Sequence, residues 1–532
     1  MSINRENLKI VAELLAPWKK KLGLLFSLSI FQAIVFTIFD PLALKYLIDA
    51  ITEGNTRLFV IIALTVTAIA TGGRWLSYWT SLLRQQIKNA VQQQVCAELT
   101  AVYYQHDCKK IDNHGKGYYI SRLHDEPKQL AAVVDVSLSL LVGIVVAISG
   151  VGVALWISWQ VTLALVVIVP MLYLLANKFS NKIGEVTNKM HESEAEFKSI
   201  LTTVIDSFKL VKLFDLNDTA TQEIKQGLKV PLEATYQSAK YASMYRSISA
   251  VFLSYAELSV IVIAGYQVIT GVVTIGALFA LTRAFSMVTR SVEQITSIIP
   301  SLVMLNTLIE RYKAFKSESD GAHSIKREVL SGFSLKDMEY DHQGKSIFHN
   351  ASLEIGAQSR VLISGPNGSG KSTFANLLAG FYVPDNGSIS GPELHDLSAS
   401  LYPFGLLPGT IGKNFNIIGS KYGCEDKVSY LVEELNLQPC LESKYDNLSE
   451  GQKKKCQIAM CLLKPAKTYL FDEPLANIDD KSKATVLGII DRFTQGASLM
   501  MIMHEGERFT EMFDSSINII GNGGITFAAM KS

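Results

Sequence analysis

Six long apolar stretches constrain this chain more than any other feature. A helix needs about 20 mostly apolar residues to cross the hydrocarbon core of a bilayer. The stretches occupy, in chain order, residues 22–44, 58–80, 133–156, 159–177, 249–269 and 274–298. Only 19% of all residues are charged, against about 25% in an ordinary soluble protein. The sequence therefore predicts an all-α, multi-pass domain embedded in a lipid bilayer, and it excludes a soluble enzyme.

The distribution of basic residues predicts the orientation of these spans. The long polar segments 84–128 and 178–246 are rich in lysine, whereas the short connections 52–58 and 266–274 contain only Arg57 as a basic residue. Because basic loops stay on the cytoplasmic side, both long segments and both termini are expected in the cytoplasm.

The two long segments are predicted to be helical. Apolar residues recur through them at helical spacing, as at Ile200, Val204 and Phe208. We expect the membrane helices to continue into the cytoplasm, with short transverse segments at 115–122 and 206–215.

The charge balance and the cysteine content indicate which partners and which redox state to expect. The 50 basic and 49 acidic residues almost cancel, so nucleic acid is not expected as a partner. The six cysteines form no C-x-x-C pair and no zinc-like cluster, which predicts reduced thiols.

A change in composition marks a second domain. The chain becomes polar near 317–326, and beyond it β-like runs at 360–364 and 468–471 alternate with helical runs such as 373–379. This alternation predicts an α/β domain with a largely parallel sheet. We therefore expect a six-helix transmembrane domain over 1–316, a linker over 317–325 and an α/β domain over 326–532.

A phosphate-binding loop follows the β-like run at 360–364. Its sequence, GPNGSGKST, matches G-x-x-x-x-G-K-[ST] at every position and opens a helical run. Such glycines let backbone N–H groups curl around phosphates, and the helix N-terminus adds a favourable dipole. For this motif alone, an ordinary glycine-rich turn is the alternative. The motif predicts that 326–532 is an α/β P-loop nucleotide-binding domain. The residues predicted to bind the phosphates of ATP are Gly365, Pro366, Asn367, Gly368, Ser369, Gly370, Lys371, Ser372 and Thr373.

Two carboxylates end the run 468–473, TYLFDE. Asp472 is suited to hold Mg²⁺ together with the Ser372 hydroxyl, and Glu473 to orient and polarise the attacking water. A strand that ends in Asp-Glu is common by chance. Its significance here depends on the phosphate loop upstream.

The run Leu448-Ser-Glu-Gly-Gln452 resembles the signature of the ATP-binding cassette (ABC) family, LSGGQ, which precedes the Asp-Glu strand by a similar distance. Glu450 stands where the family usually has its first glycine. The resemblance implies that Ser449 and Gly451, with Gln452 in the same motif, bind ATP held by a second cassette, most simply in a homodimer. A helix N-cap at Ser449, three residues before Gln452, is the alternative, and both can hold at once.

Further positions resemble family landmarks. The resemblance implies that Tyr340 stacks on adenine and that His504 is a catalytic switch histidine near the γ-phosphate. It also implies that 476–479 links the two ATP sites. Tyr402 stands where the family usually has a glutamine that senses Mg²⁺ and touches the membrane half, so altered coupling is expected. We still expect hydrolysis, because the other catalytic groups are present.

The membrane half resembles ABC exporters with six helices per half, and 117–122 resembles their first coupling segment. The resemblance implies ATP-driven export across a bacterial inner membrane, with the ATPase domain in the cytoplasm. Residues 299–311 and 452–455 resemble exporters of cyclic peptides and siderophores, which favours a small peptide or siderophore-like cargo. A lipid flippase, and an ATP-gated channel or regulatory subunit without transport, are the alternatives.

Two ionisable residues, Glu257 and Arg283, fall at similar depth near the middle of the fifth and sixth spans. Charged groups at this depth are costly and often functional. Contact with a polar or zwitterionic cargo in a shared cavity and an ion pair between the two helices are equally compatible with this spacing.

Overall fold

The computed structural model describes residues 5–106, 108–112, 116–322, 328–342, 345–503, 510–520 and 524–529. The chain forms two compact units. The membrane unit comprises Met1–Tyr104 and Gly115–Glu318, and the cassette unit comprises Gln105–His114 and Ser319–Ser532.

The described residues of the first part of the chain form helices joined by short turns. A 3₁₀ turn, Ala16–Trp18, follows the first helix, and a π-helical turn, Ser121–Asp125, follows the fifth. The helices are α1 Arg5–Leu15, α2 Lys19–Thr52, α3 Thr56–Tyr103, α4 Cys108–Asp112, α5 Lys116–Ile120, α6 Glu126–Leu130, α7 Val133–Ile157, α8 Trp159–Asp206, α9 Phe208–Leu213, α10 Asn217–Ile269, α11 Ile275–Ser297 and α12 Ile299–Ala322.

The six apolar stretches lie in α2, α3, α7, α8, α10 and α11. Within the described residues, four helical stretches are long and apolar enough to cross a membrane: Lys9–Thr52, Thr56–Tyr103, Gly117–Ile157 and Asn217–Ile269. The side chains of α8 over 164–178 lie outside the described residues. The sixth stretch, in α11, is more polar because it contains Arg283 and Arg290.

Connections on the predicted external side are short, as expected. Ser158 alone separates α7 from α8. Asp49, near the end of α2, caps the start of α11, because its carboxylate accepts hydrogen bonds from the Thr274 hydroxyl and the Gly276 N–H, both at 3.0 Å. A Cβ atom at Gly276 would lie 2.2 Å from the Lys45 carbonyl oxygen. Only glycine fits this approach of α11 to α2.

Each predicted transverse segment contains a short helix. α9 lies within 206–215 and α5 within 115–122. α4, which precedes α5, clusters with the cassette unit. The Cys108 N–H donates to the Phe381 carbonyl at 3.2 Å, and Lys109 Nζ lies 2.7 Å from Asp385 Oδ1. These partners are too distant in sequence for spacing to reveal them.

A buried ion cluster lies on the predicted cytoplasmic side of the membrane unit. Arg122 Nη1 lies 3.0 Å from Glu126 Oε2, and the two side chains are only 10% and 5% exposed. Arg311 of α12 lies 2.8 Å from the other oxygen of Glu126. Arg122 also donates to the Tyr118 hydroxyl at 2.8 Å. The cluster therefore joins the segment 116–130 to α12.

The cassette unit is an α/β fold. Five helices accompany its strands: α13 Lys371–Ala379, α14 Ile411–Tyr422, α15 Glu425–Glu434, α16 Glu450–Leu463 and α17 Asp480–Phe493. The strands are β1 Phe333–His342, β2 Lys345–Ile355, β3 Arg360–Ser364, β4 Asn386–Ser390, β5 Leu397–Ser400, β6 Thr468–Asp472, β7 Ser498–Ile502, β8 Ser515–Ile520 and β9 Gly524–Ala529.

The strands form two sheets. The larger has the order β5-β6-β7-β3-β8-β9 and is parallel except for the pair β8–β9. The smaller, β2-β1-β4, is antiparallel. This arrangement confirms the predicted α/β class. α12 continues to Ala322, so the first part of the predicted linker, 317–325, is helical.

Two hydrophobic cores divide the cassette. One contains the buried side chains of α13, such as Phe374, together with those of β1–β3. The other contains α14, α15, α16 and α17, with Phe415 fully buried at its centre. The phosphate loop and the signature thus belong to different cores. All six cysteines are free thiols, as their spacing predicts.

Candidate functional site

The phosphate loop connects the end of β3 to the start of α13. Gly365, Gly368 and Gly370 have φ angles of 147°, 80° and 102°, values that favour glycine. A Cβ atom at Gly365 would lie 2.3 Å from the Ile519 carbonyl oxygen, and one at Gly370 would lie 2.6 Å from Ile347 Cγ2. The backbone contact requires glycine at 365, and the positive φ angles favour glycine at 368 and 370.

Lys371 lies inside the loop. Its side chain is buried, and Nζ donates to the carbonyl oxygens of Gly365 at 2.8 Å and Pro366 at 3.0 Å. The hydroxyl oxygen of Ser369 is buried and has no hydrogen-bond partner among the described residues. Both groups are therefore suited to receive phosphate oxygens at the N-terminus of α13.

Asp472 and Ser372 come together at the carboxyl edge of the larger sheet. β6 and β3 both pair with β7, so their carboxyl ends lie at the same edge. Burial raises the pKa of the Asp472 carboxyl, and a hydrogen bond with the Ser372 side chain opposes this rise. A carboxylate beside a hydroxyl is a donor set that fits Mg²⁺.

Glu473 follows directly, with a strained backbone. Its φ of 48° is left-handed, which costs a non-glycine residue about 1–2 kcal/mol. Its N–H donates to the Ile502 carbonyl at 3.1 Å. The side chain is half-buried, and the role of its carboxylate in orienting the attacking water stays a prediction.

Lys454 is a functional residue that the sequence did not single out. Its Nζ donates to the carbonyl oxygen of Asp472 at 2.8 Å, and so it holds the peptide unit that precedes the strained Glu473. Burial lowers the pKa of this ammonium, and the charges of Asp472 and Glu473 oppose the decrease. The only signal in the sequence was the basic run after the signature, and spacing alone does not show what each lysine contacts.

The signature starts α16. Ser449 accepts from the Gln452 N–H at 3.3 Å, and Gln452 Oε1 accepts from the Ser449 N–H at 3.0 Å. These two bonds form a capping box, which confirms the helix-cap interpretation. Ser449 and Gln452 are exposed, so a role for them at the phosphate of a second cassette stays a prediction.

The segment 476–479 lies against the signature. A Cβ atom at Gly451 would be 2.6 Å from the Asn477 carbonyl oxygen, so only glycine permits this approach. Lys455 Nζ donates to the Ser482 hydroxyl at 3.0 Å and lies 3.8 Å from Asp479 Oδ1. The start of α16 is therefore tied to the loop that follows Glu473.

The position of Tyr340 disagrees with its predicted role. The residue is fully buried. Its ring stacks on Tyr382, with a centroid distance of 5.5 Å and an interplanar angle of 16°, and the Lys109 ammonium lies 4.6 Å from its centroid. A nucleobase thus finds no exposed face on this ring. His342, two residues along β1 and so on the same side of the strand, is half-buried and stacks at 6.3 Å from Tyr340.

Of the two remaining predicted landmarks, the structure describes Tyr402 but not His504. Tyr402 lies between β5 and α14, and its side chain is 78% exposed. The run 404–411 leads into α14, where the Thr410 side chain accepts from the Lys413 N–H at 3.3 Å. His504 lies outside the described residues, and its catalytic role stays a prediction.

In the membrane unit, Glu257 and Arg283 do not form the predicted ion pair with each other. Arg283 Nε donates to Asp40 Oδ2 at 2.5 Å, whereas Glu257 Oε1 accepts from the Ser286 hydroxyl at 3.4 Å. The rotation of α2 relative to α11, which places Asp40 opposite Arg283, cannot be derived from residue spacing.

Comparison with known proteins identifies the family. The family model for the ABC transporter transmembrane region matches residues 22–292, and that for the ABC transporter matches residues 348–476. Relatives include the uncharacterised ABC transporter ATP-binding protein YwjA of Bacillus subtilis, which is 24% identical over 94% of this chain and 92% of that protein. An ATP-dependent lipid A-core flippase of Desulfotalea psychrophila is 23% identical over 94% of this chain and 92% of its own length.

A solved structure shares the fold. The structure of a bacterial Atm1-family ABC exporter with ATP bound superimposes with a TM-score of 0.79 at 16% identity, covering 94% of this chain and 93% of that one. The chain therefore belongs to the ABC transporter family, as a helical membrane domain fused to an ATP-binding cassette that couples ATP hydrolysis to transport.

Proposed function

We propose that the chain is one half of an exporter that works as a dimer, in which each ATP is enclosed by the phosphate loop of one copy and the signature of the other. The observation that supports this proposal is that the two motifs start helices that pack into different hydrophobic cores of one cassette. Lys371 and Ser449 belong to elements of different cores, and Ser449 is exposed. A second copy would supply the missing half of each site.

The catalytic roles follow from the groups at the sheet edge. On ATP binding, Lys371 would exchange the carbonyl oxygens of Gly365 and Pro366 for phosphate oxygens. Ser372 and Asp472 would hold Mg²⁺, which neutralises phosphate charge when bound. Glu473 orients and polarises the attacking water, and Lys454 keeps the backbone before Glu473 in place. Closure of the two cassettes would drive the membrane helices, and hydrolysis would release the dimer.

For the base of ATP we propose His342 in place of Tyr340 as the stacking residue. The Tyr340 ring is covered by Tyr382 on one side and approached by the Lys109 ammonium, whereas His342 is the partly exposed end of the same aromatic group. Stacking of a base on an aromatic side chain contributes about 1–3 kcal/mol.

We expect His342→Ala to weaken ATP binding by about tenfold, the equivalent of 1.4 kcal/mol of lost stacking. His342→Tyr should retain the affinity, since it keeps an aromatic face. Tyr340→Phe, which preserves the buried ring, serves as the control and should bind ATP as the wild type does. Equilibrium binding of a fluorescent ATP analogue measures all three. Unchanged affinity in His342→Ala would reject this assignment.

The composite site is tested by mixing two inactive variants. Lys371→Ala and Ser449→Ala should each reduce ATPase activity by about 100-fold or more as homodimers, because each removes a phosphate-stabilising group from both sites. A mixed dimer retains one site with both groups intact. Co-reconstitution of the two variants should therefore restore activity that neither shows alone.

The matched control pairs Lys371→Ala with a chain that carries both substitutions. No mixed dimer of that pair contains an intact site, so activity should stay low. Native mass spectrometry reports whether mixed dimers form. The composite site is refuted if mixed dimers form without recovery, or if an isolated wild-type monomer hydrolyses ATP at full rate.

For the cargo we propose a small amphiphile. The sequence favoured a peptide or siderophore-like molecule. Relatives named as lipid A-core flippases support a lipid at least as strongly. An ATP-gated channel or a regulatory subunit has no need of a hydrolytic carboxylate, and the presence of Glu473 beside Asp472 favours transport. The bacterial relatives support an inner-membrane location with the cassette in the cytoplasm.

A further inference from the structure

Three helices of the membrane unit contribute to one group of polar side chains. Arg283 of α11 donates to Asp40 of α2 at 2.5 Å, and Ser286 of α11 donates to Glu257 of α10 at 3.4 Å. Arg283 and Ser286 are three residues apart, so they lie on the same face of α11. We call these four residues the intramembrane polar cluster.

The cluster lies near the middle of the membrane. Asp40 is 12 residues before the end of α2 at Thr52, and Glu257 is 12 residues before the end of α10 at Ile269. At about 1.5 Å per residue, both lie about 18 Å below the external ends of their helices, within a hydrocarbon core about 30 Å thick.

Charge within the cluster is unbalanced. Asp40 neutralises Arg283, but Glu257 has no cation within ion-pair distance among the described residues. α8 packs along α10, and its sequence from 159 to 177 contains no basic residue. Arg290 is seven residues beyond Arg283, about 10 Å further along α11.

The cluster is also accessible from the surface of the chain. Glu257 is exposed, and the side chains of Arg283 and Asp40 are 44% and 35% exposed. A carboxylate in the middle of a bilayer costs about 2.5–3.5 kcal/mol or more. Its weak contact with a serine hydroxyl does not offset that cost, whereas a cationic group would.

We propose that Glu257 binds a positively charged amine of the cargo, so that the exporter selects amphiphiles that carry an ammonium group. The inference rests on the proposed export function and specifies its substrate class. Arg283 uses one of its donors on Asp40, and its remaining N–H groups can bind an anionic group next to the amine. The ammonium can belong to a lipid headgroup or to a peptide.

The test uses the full-length dimer in nanodiscs of phosphatidylglycerol, a lipid without an amine. Two fluorescent probe pairs separate the sources of the amine. One pair is a labelled phosphatidylethanolamine and its N-acetylated form, and the other is a labelled acyl-lysine peptide amide and its N-acetylated form. Binding is measured without nucleotide, so the result does not depend on ATP turnover.

The wild type should bind the amine form of at least one pair about tenfold more tightly than the acetylated form, the loss expected when one partner of a charged contact is removed. Glu257→Gln should abolish this preference. Glu293→Gln, a carboxylate further along α11, should retain it. The preferred pair identifies the lipid or the peptide as the source.

Three results would overturn the inference: equal binding of both forms in each pair by the wild type, an amine preference that survives in Glu257→Gln, or dissociation of the Glu257→Gln dimer in native mass spectrometry, which would instead assign Glu257 to a subunit contact. Transport assays distinguish failure of the Glu257 assignment from failure of the proposed export function. If ATP drives movement of any probe without an amine preference, export stands and only the assignment of Glu257 fails.

Discussion

Glu473→Gln should reduce steady-state ATPase activity by at least about 100-fold, the usual contribution of a positioned general base. The substitution keeps the size and most of the hydrogen bonding of the side chain but removes the charge that polarises the attacking water. Lys371, Ser372 and Asp472 are unchanged, so ATP should still bind with Mg²⁺. In the proposed cycle ATP joins the two cassettes and hydrolysis separates them, so the variant should accumulate as an ATP-bound dimer.

Two measurements check this result. Phosphate release gives the turnover rate, and the ATP retained after gel filtration gives the trapped fraction, which should rise as turnover falls. Glu434→Gln, an exposed residue at the end of α15, is the matched control and should behave as the wild type does. Full ATPase activity in Glu473→Gln would contradict the assignment of the catalytic carboxylate.

Glu126→Ala should destabilise the membrane unit by about 3–5 kcal/mol, the loss expected when one partner of a buried ion pair is removed. Arg122 would then be left 10% exposed with only the Tyr118 hydroxyl as a described hydrogen-bond partner. Fluorescence-detected gel filtration after heating should show a marked decrease in the temperature at which the dimer is lost.

Two further variants separate the buried pair from general effects of charge removal. Glu310→Ala removes an exposed carboxylate of α12 that lies 3.6 Å from Lys313, and it should change stability by less than about 1 kcal/mol. The double variant Arg122→Met, Glu126→Leu replaces both charges with apolar groups and should recover much of the loss. A double variant as unstable as Glu126→Ala would show that the buried charge is not the cause.

The features that could be predicted from the sequence are those that depend on residue types at fixed spacing. The phosphate loop needs glycine at positive φ, and the capping box needs Ser449 three residues before Gln452, so both could be read from residue types at fixed spacing. The apolar stretches and the alternation of strands and helices gave the fold class for the same reason. The segment 206–215, which was predicted to turn within a stretch of helical periodicity, contains α9.

What the sequence could not predict depends on rotation and register between distant elements. Whether Arg283 meets Glu257 or Asp40 depends on how α2, α10 and α11 are rotated about their axes. Whether Tyr340 or His342 offers its ring to a base depends on which end of β1 the smaller sheet and Tyr382 cover. Lys454 was visible only as one of three consecutive lysines, because its partner, the Asp472 carbonyl, lies on another element.

The hydrogen bond from Lys454 to the Asp472 carbonyl would couple the two ATP sites of the proposed dimer. α16 begins with the residues proposed to contact the nucleotide bound to the opposite copy. Lys454, within its first two turns, binds the backbone carbonyl that precedes Glu473, the proposed catalytic carboxylate of the same copy. A tilt of α16 caused by release of phosphate from the opposite copy's nucleotide would therefore also move Glu473 of its own copy.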